Sequence, residues 1–258
     1  FIPIAEDSDL ILEIGDWVIA TACAQLAAWN AHFPVQQRVM AINISAAQLK
    51  DVRFTEKLQS VLLQHGLQAS QIELELTERV LIDDGDYVRR SLHELNQLGV
   101  HISLDDFGTG YSALSYLTLF PIHTLKIDRS FVMRLGENDK LEPLVSSIVM
   151  MGQKLGMSLV AEGVETEVQA RYLQANGCST MQGYLYHRPL ALARRRRSLL
   201  DPLPGRLLRS RNVLAPPQFP HQLHRLRAGL GLELSAESFC EVLVQLDRAR
   251  TVADAHEH

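Results

Sequence analysis

Cysteine is scarce in this chain: Cys23, Cys178 and Cys240 are the three in 258 residues, far apart and without a C-x-x-C pair. That spacing gives neither a disulfide framework nor a cysteine zinc site, and it fits a reducing cytosol. Positive charge is also short. The formal net charge is −5, so no global basic field draws the chain to a nucleic-acid polymer. No apolar run reaches the ~18–20 residues of a membrane span, and no signal peptide is visible. The sequence opens on Phe1-Ile2-Pro3-Ile4 without Met, and the expectation is that a natural start lies upstream. Apolar residues, by contrast, make up 47% of the chain. That is the level of a folded domain and too high for disorder.

From about Asp16 to Leu190 two patterns alternate. Short β-branched or apolar runs occur at 38–44, 71–76, 100–104, 123–127, 158–161 and 179–184. Between them lie stretches with a 3.6-residue period. One carries Val88, Leu92 and Leu95 after Asp86. Another carries Leu144, Ile148, Met151 and Leu155, with Pro143 as a first-turn proline. Gly99 and Gly156 each stand between a helix and a strand, as C-terminal stops do. Alternating β and α units imply a parallel sheet with helices outside it. Six strands are two short of a closed barrel. The expected fold is therefore α/β, a (β/α)8 barrel of the TIM type over residues 1–190, lacking one or two strands at its N-terminus.

Residues 191–258 read differently. They open on Arg194-Arg195-Arg196-Arg197, contain Pro202, Pro204, Pro216, Pro217 and Pro220, and have no Lys. The arginine run reads as solvated tail. One helix is expected there, with Ser235 as N-cap and Phe239, Val242 and Leu246 on one face.

The polar residues fall at the strand ends. Asn43, Glu75, the pair Asp105 and Asp106, Lys126, Glu162 and Gln182 each close or follow one of the six runs. A buried carboxylate costs several kcal/mol unless it is paired or metal-bound. One such residue would be read as a structural ion pair. Six successive strand ends converge on one barrel rim, where barrel active sites lie. Oxygen donors without His or Cys suit Mg²⁺ or Mn²⁺ better than zinc. Adjacent carboxylates at Asp105 and Asp106 can serve two ions, a pairing suited to in-line phosphoester hydrolysis. Taken singly, Asn43 and Gln182 also fit hydrogen-bonded amides, and Lys126 an ion pair with Asp106 or Glu162. Glu73 and Glu75 share a face, which calls for help from Lys126 or Arg79. His101, His123 and His187 read as surface or packing residues. The trio Asp106-Phe107-Gly108 resembles a kinase metal motif, but no other kinase element accompanies it. An enolase-like barrel fits the adjacent Asp pair and glycine loop poorly.

The segments Phe1–Glu6, Asn43-Ile44-Ser45, Glu73–Glu78, Asp105–Ser112, Lys126–Phe131, Ala161–Thr166 and Gln182-Gly183-Tyr184, in that order, resemble the EAL family of cyclic-di-GMP phosphodiesterases. The resemblance implies hydrolysis of this bacterial second messenger to linear pGpG with two Mg²⁺ or Mn²⁺ ions in the cytoplasm. It implies that Asn43, Glu75 and Asp105 hold one metal, that Asp105 bridges and that Asp106 holds the other. Lys126 would orient water and offset phosphate charge. Glu162 would act as general base or support a ligand, and Gln182 would bind at the metal–water cluster. Glu78 and Glu165 would anchor the flanking loops, Glu78 that of 106–112. A homodimer through the 106–118 loop and helix is also implied.

The Glu-Ala-Leu triplet that names the family is absent from this sequence. Its Glu is a metal ligand in the family, so an incomplete metal shell and weak or absent turnover are expected. The competing function is a non-catalytic cyclic-di-GMP receptor.

Overall fold

The computed structural model describes residues 5, 10–32, 38–82, 86–108, 114–136 and 141–186. All of them belong to one compact unit. The tail helix expected after Ser235, His187 and the loop residues Thr109–Ser112 lie outside the described residues.

The chain alternates as its pattern requires. Helix α1 (Leu10–His32) precedes β1 (Met40–Asn43), followed by α2 (Ala46–Lys50) and α3 (Phe54–His65). Then come β2 (Ile72–Thr77), α4 (Glu78–Ile82), α5 (Asp86–Leu98) and β3 (His101–Phe107). The order continues α6 (Leu114–Leu119), β4 (Thr124–Ile127), α7 (Arg129–Val132), α8 (Leu141–Lys154), β5 (Ser158–Ala161), α9 (Glu167–Ala175) and β6 (Thr180–Met181). The six strands form one parallel sheet in sequential order. It is an open, curled half-barrel with flanking helices, as an incomplete TIM-type barrel requires.

The two-residue period of a strand sorts the sheet's faces. Ile72, Leu74 and Leu76 on β2, Ile102 and Leu104 on β3, and Leu125 and Ile127 on β4 form a buried apolar layer. The alternate positions carry Glu73 and Glu75, Ser103 and Asp105, and Thr124 and Lys126, also buried. One face thus packs as core while the other holds polar groups that must satisfy one another.

Helix α1 is long and apolar enough to cross a membrane by length and composition, although Glu13 and Asp16 interrupt its apolar run. In this fold Ile11, Ile14, Ile19, Cys23 and Leu26 of α1 are buried, and Asp16 pairs with Lys57 of α3 at 2.8 Å. On α8 the buried face is Val145, Ile148, Val149 and Gly152, whereas Leu144 and Leu155 are exposed. Gly152 sets that rotation: a Cβ there would overlap Leu159 and touch Leu125, so the helix rests on the sheet at its glycine.

Candidate metal centre

Lys126 is the centre of the site. It is 2% exposed, on β4 between β3 and β5. Its Nζ lies 2.8 Å from Glu75 Oε1, 3.0 Å from Asp105 Oδ1 and 2.7 Å from Glu162 Oε1. Glu75 is on β2, Asp105 near the end of β3, and Glu162 directly follows β5. Four strands of one sheet therefore deliver four charged groups to one point. As full carboxylates, the three acids outnumber the ammonium by two charges, and such an excess favours further cations.

Asp106 joins the cluster through a backbone irregularity. On a regular strand, Asp105 and Asp106 would point to opposite faces. Between Leu104↔Leu125 and Phe107↔Ile127 the register shifts, so two residues of β3 stand against Lys126 alone. This is a bulge of the two-against-one kind. Asp106 takes a left-handed backbone, φ 54°, the one such non-glycine residue among those described. Aspartate tolerates that region better than most residues. Its amide donates to Asp105 Oδ1 at 3.1 Å. As a result Asp105, Asp106 and Glu162 each present a carboxylate oxygen within 4.8 Å of the others. Three clustered carboxylates suit a hard divalent ion.

The other expected site residues take distinct positions. Asn43 ends β1 beside Glu75 in register, but its side chain is exposed rather than a buried amide. Gln182 is half-buried after β6; its backbone donates to Ala161 O at 2.8 Å and accepts from Val164 N at 3.0 Å. Glu78 is buried at the start of α4, and its Oε2 accepts from Gly108 N at 3.3 Å. Glu165 is exposed, and what is held there is its amide, which donates to Gln169 Oε1 at 2.8 Å. Lys126 serves Glu75, whereas Glu73 faces His101 across the ladder and acts on His123. The two histidines stack at 5.1 Å, a packing role.

The bulge and Gln169 escape a reading by strand ends. The signal for Gln169 is present in the sequence as Thr166-x-x-Gln169, a capping-box spacing.

The EAL domain family model matches residues 1–189. The bifunctional diguanylate cyclase/cyclic di-GMP phosphodiesterase MucR of Pseudomonas aeruginosa is 41% identical over 190 residues, 74% of this chain and 28% of that protein. The chain thus spans under a third of the length of the curated relatives it matches first. Among solved structures, the PaMucR phosphodiesterase in complex with c-di-GMP superposes with TM-score 0.70 at 40% identity, covering 75% of this chain and 78% of that one. The EAL domain of Mycobacterium smegmatis DcpA superposes with TM-score 0.69 at 41% identity, covering 74% and 85%.

Proposed function

This chain belongs to the EAL domain family, and from that premise we propose that it hydrolyses cyclic-di-GMP to linear pGpG with two Mg²⁺ or Mn²⁺ ions. The observation that carries the reading is the cluster of Asp105, Asp106 and Glu162 beside Lys126. Support comes from the relatives named as phosphodiesterases and from the c-di-GMP complexes that share the fold.

In this proposal Asp105 would serve both ions, Asn43 and Glu75 would be further ligands to one and Asp106 to the other, and Gln182 would bind at the water around them. Bound divalent ions would supply an activated water and charge stabilisation for the leaving oxygen. Lys126 would orient that water and offset phosphate charge. Glu162, 2.7 Å from Lys126 Nζ, would act as general base or support a metal ligand. Glu78 holds the backbone at Gly108, and Glu165 marks the loop after β5. A homodimer through the 106–118 loop and helix and a bacterial cytoplasmic setting belong to the same proposal.

The test is calorimetric titration of cyclic-di-GMP with Ca²⁺, then chromatography after Mn²⁺ is added. Metal-dependent binding is expected, with slow pGpG formation that EDTA abolishes. Binding with no pGpG would make the chain a receptor module. No metal-dependent binding would contradict the proposal.

A further inference from the structure

Gln169 lies in the first turn of α9, past the strand-end positions, yet it is 5% exposed. Burying a primary amide costs free energy unless its donors and acceptor are matched. Here they are matched by one loop and one neighbouring helix. Gln169 Oε1 accepts from Glu165 N at 2.8 Å and from Thr166 N at 3.0 Å. Its Nε2 donates to Met133 O at 3.2 Å, just past α7. Its own amide donates to Thr166 Oγ1 at 3.3 Å, closing a capping box.

These bonds tie the loop that carries Glu162 to the segment that follows Lys126. Residues 162–165 connect β5 to α9, and Met133 ends the segment that follows β4 and Lys126. The loop has little freedom elsewhere. A Cβ at Gly163 would overlap Arg129 of α7, and Gly163 has φ 67°. Val164 is bonded on both sides to the strand-six loop, from its amide to Gln182 O and from Leu185 N to its carbonyl, each at 3.0 Å. Gln169 is the side chain that closes this arrangement from the helix side.

We propose that Gln169 is a positioning residue that fixes the 162–165 loop, and with it the Glu162 carboxylate, against the Lys126 strand. The inference rests on the metal reading above and goes beyond it by assigning a role to a residue that touches neither ion nor substrate. Removing groups that orient a ligand costs metal affinity even where the ligand remains.

The experiment titrates Mn²⁺ into the full chain, reads the free ion by its spin resonance signal, and follows amide exchange in parallel. Gln169→Met keeps length and removes every side-chain bond. Gln169→Glu keeps the acceptor for both loop amides. Thr166→Ala removes only the hydroxyl cap and controls for helix stability. In Gln169→Met, Mn²⁺ affinity is expected to fall about tenfold, with faster exchange across residues 162–169. In Gln169→Glu and Thr166→Ala it is expected to stay within about twofold of the parent, by the same scale of effect. A folded Gln169→Met that binds as the parent does would overturn the proposal. So would a Thr166→Ala variant as weak as Gln169→Met.

Should Gln169→Met not fold, the parent decides. The Glu165 and Thr166 amides are expected to exchange at least about a hundredfold more slowly than in an unstructured peptide; exchange at the unstructured rate overturns the proposal. A parent that binds no Mn²⁺ would sink the metal reading, and the same exchange rates would then still judge whether Gln169 fixes the 162–165 loop.

Discussion

Lys126 stands where three buried carboxylates converge, so its neighbours depend on it more than it depends on any one of them. Removing one partner of a buried ion pair leaves uncompensated charge, at a cost of about 3–5 kcal/mol. Lys126→Met in EDTA is expected to lower stability on that scale by urea unfolding, and Mn²⁺ is expected to restore part of it. Asp106 separates backbone from charge. At its left-handed φ, glycine is unstrained, so Asp106→Gly is expected to hold or raise metal-free stability by up to about 1 kcal/mol. The same variant is expected to weaken Mn²⁺ binding about tenfold or more, because a ligand is gone. Thermal unfolding and a Mn²⁺ titration of one preparation check both halves. The positions of Glu75, Asp105, Lys126 and Glu162 were legible in the sequence because each ends an apolar run, and strand ends in a parallel sheet share a rim. Asp106 was legible as a second carboxylate at the same strand end, but the bulge that turns it inward was not. Alternation predicts the opposite face, and a bulge is a pairing event between β3 and β4 that neither strand encodes alone.

At the scale of elements, glycines govern how closely loops and helices approach. A Cβ on Gly183 would overlap the backbone of Val164, and backbone cannot swing away as a side chain can. Gly183→Ala is expected to cost about 1–3 kcal/mol, as overpacking does, read as a lower thermal midpoint. Strands β2 to β5 matched their sequence signals closely, since apolar and β-branched runs bounded by turns leave few alternatives. Helix α8 was legible in extent, but of its expected row only Ile148 is buried. Leu144 and Val145 are both apolar, and only the approach of Leu159 to Gly152 decides which row is buried. Helix α1 keeps Ile11, Ile14, Ile19, Cys23 and Leu26 on one buried face, while Asp16 reaches sideways to Lys57.

For the molecule as a whole, the sheet has two chemically separate ends. The cluster around Lys126 lies at one, and Glu73, His101 and His123 lie at the other. Burial and the neighbouring His101 hold His123 below its ordinary 6.5, while the Glu73 carboxylate partly opposes them. Its neutral form also accepts Ile102 N at Nδ1, 3.1 Å away. A base with a depressed folded pKa binds protons more readily when unfolded, so its contribution is present above pH 6.5 and is lost as pH falls. The thermal midpoint in EDTA is expected to drop from pH 7.5 to pH 5.5, and to drop less in His123→Asn, which keeps an acceptor for Ile102 N. The barrel class was legible at this scale because strand and helix alternate across most of the chain.

The direct measurement is chromatography of cyclic-di-GMP incubated with the chain and Mn²⁺, beside Asp106→Asn and an EDTA control. The expected result is pGpG from the parent with Mn²⁺, none with EDTA, and a rate at least about a hundredfold lower in Asp106→Asn, a loss within the range set by removing transition-state charge stabilisation. Cyclic-di-GMP recovered unchanged at every Mn²⁺ concentration would contradict the claim that this cluster is a hydrolytic centre.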